Sequence, residues 1–415
     1  MSSKFIDRIG KYFQLDLYYY IKNLFYLVAG QGAADLLGFV LSIAFAWLVA
    51  KEVYGQWNFI LSIVGIFAIL TLPGINTAIV QSVSSGHDRV LVKGAKQKFK
   101  WSILGTIATL GVGIYYFLSG DALLGKSLII ASLFFPFYHS LQIYASFFSG
   151  KKRFDKVAGY RFIIHAVSIL ATIAVIYLTR NLILILGTYL LSFSLLRGFF
   201  LRLAYQSMEN QKDDPRAITF GKHVTVTMIP TQIRQHCDKI VIALFLSFPQ
   251  LAIYAIARGF ADVIFSLSSH IATLTFPKLS QMDEPTAYSE VKKRWPLVVI
   301  GFGVICGILI GLCPYIIPLF YSQKYVDSVF YVQLLLVSVI IAAPVPMINK
   351  ALFPSQRRIK DLYKLRVCSS IIEIVLLIIL TLKFGLLGAV IAILLGRAFT
   401  TIYSLYLARF ISFHR

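Results

Sequence analysis

Apolar stretches of about twenty positions alternate with short, mostly basic segments along the whole chain. A helix crossing the hydrocarbon core of a bilayer needs about 20 such residues, and a run that is apolar on every face belongs in lipid or in a large core. The pattern predicts twelve membrane-spanning helices, over residues 23–49, 55–80, 101–119, 127–149, 161–179, 182–204, 223–247, 250–276, 295–320, 328–353, 364–382 and 385–408. Proline interrupts several of them, at Pro73, Pro136, Pro230 and the pair Pro344 and Pro346. Proline removes a backbone donor and bends a helix, so each is a kink, serving either packing or movement.

Composition sharpens this into an all-α integral membrane protein. Of 415 residues, 58% are hydrophobic and 14% charged, with mean hydropathy +0.76. A soluble domain runs at about 45–50% apolar and about 25% charged, which excludes an ordinary soluble enzyme. The net charge of +22, from 40 Lys and Arg against 18 Asp and Glu, would point to nucleic acid in a soluble chain. Here it reports orientation, because short cytoplasmic loops collect positive charge. With the N-terminus inside, inner segments hold 29 of the 40 basic residues, and outer ones hold only Lys51, Lys126, Arg180, Lys324 and Lys383. Both termini are therefore expected in the cytoplasm, and no nucleic-acid partner is expected.

No connector is long enough for a catalytic domain, so the activity is expected inside the helices. The basic, aromatic N-terminus lacks the apolar core of a secretory signal. Phe5, Ile6, Ile9 and Phe13 mark either a short interfacial helix or a basic tail. Cys237, Cys306, Cys313 and Cys368 lie in apolar stretches without metal-site spacing, so neither disulfide nor zinc is expected. No phosphate-cradling glycine loop is present, and ATP hydrolysis is not expected.

The polar loop at residues 208–217 divides the spans six and six. The expected organisation is a cytoplasmic or interfacial segment 1–22, a six-helix lobe 23–207, an inter-lobe cytoplasmic loop 208–222 and a second six-helix lobe 223–415. Six is even, so both halves enter from one side and a repeat would be parallel, about an axis along the membrane normal. Gly55-Gln56-Trp57 and Ala252-Ile253-Tyr254 hold matching places in the two halves.

Candidate chemistry lies in charges placed within the spans. These are Arg197, Arg234, Lys239, Arg258, Lys350 and Arg397, with Asp35, Asp238, Asp262 and Glu373. A charge facing lipid at the bilayer centre costs about 2.5–3.5 kcal/mol on insertion scales, so each should face a partner helix or a wet cavity. Lys350 and Arg197 are near enough to a helix end to snorkel, and Glu373 is near enough to one to be solvated. Three helical faces carry polar stripes: Gln31, Asp35, Gly38 and Ser42; Thr227, Thr231, Arg234 and Asp238; and Arg258, Asp262, Ser266, Ser269 and Thr273. Together they predict a hydrated cleft between the halves. Six cations against four acids favour an anionic cargo, and arginine suits phosphate. The ordinary alternative is that Arg234 with Asp238 and Arg258 with Asp262 are i, i+4 pairs that only neutralise each other. His236 beside Arg234 is a structural histidine or a proton relay.

The segment LVAKEVYGQWNFILSIVGIFAILTLPGINTAIVQ, with QIRQHCDKIVIALFLSFPQLAIYAIARGFADVI, IPLFYSQKYVDSVFYVQLLLVSV and KFGLLGAVIAILLGR, resembles polysaccharide transporters of the multidrug/oligosaccharidyl-lipid/polysaccharide flippase superfamily. Twelve spans resemble the O-antigen (Wzx-like) type more than the fourteen-span lipid II flippases. The resemblance implies a flippase, not an enzyme, that exports undecaprenyl-pyrophosphate-linked oligosaccharide across the bacterial cytoplasmic membrane by alternating access. It implies a central cationic cavity for the pyrophosphate and glycan, to which Arg234, Arg258, Lys239 and Arg397 could contribute. Gln31, Asp35, Asp238, Asp262 and Glu373 would be polar or coupling positions. No cofactor is implied beyond coupling to a proton or sodium gradient. The implied partners are the lipid-linked glycan, the bilayer, and a polysaccharide polymerase with its glycosyltransferases, around a monomer. The chain departs from the lipid II group in having Gln31 and Asp35 in place of an arginine cluster on the first spans. A cation-coupled drug antiporter, with Asp35 binding sodium or a proton, is the competing reading. A polymerase or ligase would need a sizeable outer loop, which the sequence lacks.

Overall fold

The computed structural model describes residues 17–409 other than residue 357, and these form helices and short connections, with no strand among them. The expected interfacial helix at Phe5, Ile6, Ile9 and Phe13 falls outside the described residues. The principal helices are α1 (Leu17–Leu48), α2 (Lys51–Phe67), α3 (Gly74–Ser84), α4 (Val90–Leu118), α5 (Ala122–Ser140), α6 (Tyr144–Gly150), α7 (Phe154–Thr179), α8 (Leu182–Gln206), α9 (Ala217–Phe245), α10 (Phe248–Leu279), α11 (Glu284–Tyr321), α12 (Ser328–Ala342) and α13 (Ile359–Arg409). Among the described residues, nine helices are long and apolar enough to cross a membrane. A tenth is added if α12 and the bent stretch that follows it, to Ser355, count as one span.

Local chemistry explains where the helices break. α2 tightens into a 3-10 turn over Ala68–Thr71, Leu72 adopts a left-handed φ of 56°, and Pro73 caps α3, because a proline cannot continue the hydrogen-bonded turn before it. Pro344 and Pro346 fall where the path bends by 43° after α12 into a π-helical turn, Met347–Leu352. Pro230, in contrast, sits inside an unbroken α9. The 51 residues of α13 would extend about 75 Å if straight, more than twice the bilayer core of about 30 Å. Gly385 interrupts them, with φ 61° and ψ −139°. A Cβ at Gly388 would lie 1.9 Å from the Leu380 carbonyl oxygen, so the two arms touch backbone to backbone. α9 is long enough to span but falls outside the nine, since Lys222, His223, Arg234, Asp238 and Lys239 dilute its hydropathy.

α1 to α8 pack on one another, chiefly α1 on α7, α4 on α5, and α8 on α5 and α7; α9 to α13 form a second group in which α13 packs on α9 and α12. The seam between them joins α2 and α3 to α9 and α10. Glycines make this seam close. A Cβ on Gly55 would sit 2.0 Å from the Phe248 carbonyl oxygen, one on Gly65 2.3 Å from the His236 ring, and one on Gly74 2.3 Å from the Gly221 carbonyl oxygen. Gly74 N–H also donates to Thr225 Oγ1 at 3.0 Å. Without a hydrophobic force between helices in lipid, small residues that admit backbone contact are the usual means of association.

The connector between the groups is docked rather than free. Asp88, fully buried in the α3–α4 turn, accepts from the Glu209 backbone N–H at 2.8 Å and pairs with Lys151 at 2.9 Å. Ser82 donates to Asp214 at 2.7 Å, and Lys93 pairs with Asp213. Burial works against the Lys151 ammonium, but hydrogen bonds and charge from Asp88 and Glu209 hold its pKa above the ordinary lysine value. The Ser82 hydroxyl holds the Asp214 carboxyl below its ordinary value, against a small desolvation.

Candidate functional site

Between α1 and α7 on one side and α10 on the other lies a cavity of about 830 Å³. Two of the three expected stripes face it. α1 contributes Gln31, Asp35, Gly38 and Ser42, and α10 contributes Asp262, Ser266, Ser269 and Thr273. The third stripe does not: of the α9 residues only Lys239 lines the cavity, because the Arg234 face turns toward α13. Arg161 and His165 reach in from α7, and Lys350 from the π-helical turn.

The end of the cavity near Lys51 is sealed by aromatic residues and by bonds between the two helix groups. Phe45 packs on Tyr54 and Trp57 with ring centroids 5.2 and 4.8 Å apart. Ser42 Oγ and Tyr321 Oη are 3.1 Å apart, Trp47 Nε1 donates to the Phe320 carbonyl at 2.8 Å, and Lys51 pairs with Asp327 at 3.5 Å. Arg161, Lys350 and Thr273 lie near the opposite ends of their helices.

The charges are arranged by partner rather than by sequence spacing. Arg234 and Asp238 do not pair. Arg234 Nη1 donates to Glu373 Oε2 at 3.1 Å, while Asp238 accepts from Tyr254 Oη at 2.5 Å. Glu373 is buried rather than solvated, and its side chain occupies the space beside Gly396. Arg258 and Asp262 do pair, at 2.9 Å. Asp262 also accepts from Arg397 Nη2 at 3.0 Å, so one carboxylate holds two guanidiniums while 46% of its side chain stays open to the cavity. Arg397 is further held by Ser338 Oγ at 3.0 Å and lies over the Phe265 ring. Arg234, Arg258 and Arg397 are thus packed behind the cavity wall and do not line it. Lys239 does line it, with Nζ donating to Asn58 Oδ1 at 3.2 Å.

The predicted span 161–179 begins at Arg161, and the structure places this residue inside the cavity. It donates to Gln31, whose amide donates to Asp35 at 2.8 Å. The signal lies in the spacing Arg161, His165, Ile169, four residues apart on one face of α7, all three lining the cavity. α7 starts at Phe154, earlier than the apolar run indicates. Lys98 lies just ahead of the predicted span 101–119, but α4 begins at Val90, and Lys98 is fully buried, donating to Asn76 Oδ1 at 3.0 Å.

Residues 20–283, more than half of the chain, match the family of polysaccharide biosynthesis proteins. The chain belongs to that family. No significant match is found among the curated proteins. Among solved structures, this polysaccharide biosynthesis protein is similar to the lipid II flippase MurJ in an inward closed conformation, with TM-score 0.70 and 17% identity over 93% of this chain and 89% of that one. It is similar to an inward-facing multidrug resistance MATE family transporter of the MOP superfamily, with TM-score 0.65 and 13% identity over 91% and 94%. A eukaryotic MATE transporter, AtDTX14, aligns with TM-score 0.63 and 13% identity over 94% and 98%. At these identities the likeness is one of fold.

Proposed function

We propose that this protein is a twelve-span flippase. In this reading it carries undecaprenyl-pyrophosphate-linked oligosaccharide repeat units across the bacterial cytoplasmic membrane, for surface polysaccharide of the O-antigen or capsule type. The lobes 23–207 and 223–415, joined through 208–222, would alternate access to the central cavity, with both termini cytoplasmic. The Lys51 end would then be the outer one, and the sealed aromatic end an outer gate.

The observation that carries the reading is the charge of the cavity wall. Arg161, Lys239 and Lys350 face the space, while Asp262 is already shared by Arg258 and Arg397, and Asp35 is bonded to Gln31. Positive charge is left for an anionic head group, and a diphosphate can accept charge-assisted hydrogen bonds from several cations at once. About 830 Å³ lies within the range of roughly 300–1,000 Å³ common for small-molecule sites, enough for a head group while the lipid tail stays in the bilayer. The family and the fold support transport of this kind. A drug antiporter would favour a free acidic group in the cavity, and both acids there have partners. If transport is coupled to protons or sodium, Asp35, Asp238 and Glu373 are the candidate carriers.

The test is translocation of a defined polyprenyl-pyrophosphate oligosaccharide in proteoliposomes, with and without a pH gradient. Wild type should translocate it, and Lys239→Gln combined with Arg161→Gln should lower the rate at least about tenfold with the folded protein retained. Full activity of that double variant, or efflux of cationic drugs with no glycolipid movement, would overturn the reading.

A further inference from the structure

A second pocket, of about 320 Å³, lies further along the same face of α2, toward its C-terminal end, and Leu61 borders both it and the large cavity. Its polar lining is Tyr138, His139, Gln142, Arg197, Gln232, His236 and a threonine, with no Asp or Glu among the described residues. It sits where α2 breaks before Pro73, and both helix groups contribute: His139 from α5 and Arg197 from α8, against Gln232 and His236 from α9.

Arg197 is held in place without a carboxylate. It donates through Nη1 to the Tyr138 carbonyl, and its guanidinium lies 4.4 Å from the Tyr138 ring centroid and 5.0 Å from that of Phe193. Among the described residues it has no acidic partner, unlike Arg234, Arg258 and Arg397. The His139 ring hydrogen-bonds the Val64 backbone, and its Nε2 is buried with no partner among the described residues. Lys98 and His236 lie within electrostatic reach of His139 as well, and Lys98 donates to the neutral Asn76. A buried charge without a counter-charge is costly, so the Arg197 guanidinium makes the pocket attractive to an anion, with the His139 Nε2 atom as a further polar group beside it. Arginine forks match phosphate oxygens.

We propose that this pocket is a second anion site, which takes a phosphate group between Arg197 and His139 of the first helix group, beside His236 of the second. Gln232 Nε2 donates to the Gly65 carbonyl at 2.8 Å, and the His236 ring packs where a Cβ on Gly65 would be, so the α9 wall of the pocket is anchored to α2. A ligand held by both groups stabilises the arrangement in which they are apposed, giving the site a hand in the conformational equilibrium. The phosphate group could be free or belong to a lipid-linked cargo. The assignment does not depend on what the large cavity carries.

The test is binding of inorganic phosphate to the purified full chain in nanodiscs at constant ionic strength, followed by calorimetry, with polyprenyl pyrophosphate as competitor. Wild type should bind phosphate saturably. Arg197→Gln should weaken binding at least about tenfold, the effect of about 1.4 kcal/mol, and Arg197→Lys should lose less. Gln142→Glu, which preserves volume and places a carboxylate at the pocket, should weaken binding as strongly. Lys239→Gln, in the large cavity, should leave it unchanged. Displacement by polyprenyl pyrophosphate assigns the natural phosphate to a lipid, and no displacement assigns it to a free anion. Absence of saturable phosphate binding in wild type, or equal binding in Arg197→Gln and Gln142→Glu to that of wild type, overturns the proposal.

Discussion

Arg397 donates to Asp262 at 3.0 Å across 135 residues of chain, while Arg258, one helical turn before Asp262, donates to the same carboxylate at 2.9 Å. The local pair and the distant one share a single negative charge. Asp262→Ala should therefore be the most damaging change in this cluster, because it leaves two guanidiniums facing each other. Removing one member of a buried pair costs about 3–5 kcal/mol, and the open side of Asp262 brings the expectation toward the lower end. Arg397→Met should cost less, since Asp262 retains Arg258. Thermal unfolding in detergent of both single variants and the double variant measures the coupling, and additive effects would argue against it.

The glycine seam predicts steric sensitivity. Gly55→Ala places a Cβ 2.0 Å from the Phe248 carbonyl oxygen, which backbone cannot evade by a rotamer change. Over-packing of this kind costs about 1–3 kcal/mol. Gly259→Ala, with open space where its Cβ would lie, should be neutral within about 0.5 kcal/mol. Comparing the unfolding temperatures of the two variants checks the seam.

If the aromatic end is an outer gate, weakening its bonds should open it. Trp47→Phe removes the donor to the Phe320 carbonyl, and Tyr321→Phe removes the partner of Ser42. Each hydrogen bond contributes about 0.5–1.5 kcal/mol, so each change should raise the open population by about two- to tenfold. Labelling of Gly38→Cys, at a cavity-lining position with open space for a side chain, by an impermeant maleimide from the outer face should accelerate in both backgrounds, and an unchanged rate would show that these bonds do not hold the gate.

The docked connector predicts a pH profile. Asp214 is held below its ordinary value of 3.8 by Ser82, so its contribution is present above that value and lost as pH falls through the lower folded value. Lys151 is held above its ordinary value of 10.5, so its contribution is present below 10.5 and lost as pH rises through the higher folded value. Proteolysis within residues 208–216 should be slow and flat between about pH 5 and 9 and rise only outside that window. A transition near neutral pH would mean that neither group governs the docking.

The sequence alone determined the membrane class and the near-positions of the helices, because length and hydropathy of a span are local properties set by bilayer thickness. It also marked the breaks at Pro73 and at Pro344 and Pro346, since proline acts on the backbone turn that contains it, and two of the three polar stripes, since a helical face follows from spacing. Only the tertiary structure decided which charges meet. Arg234 and Asp238 have the spacing of a pair and do not form one, because Glu373 and Tyr254 from other helices offer better-placed partners. Arg161 stands at the very start of its apolar run and Lys98 just ahead of its own, yet their helices begin earlier than those runs and carry both into the interior. A stripe shows that a face is polar, but whether that face meets a cavity or a counter-charge depends on helices far away in the chain.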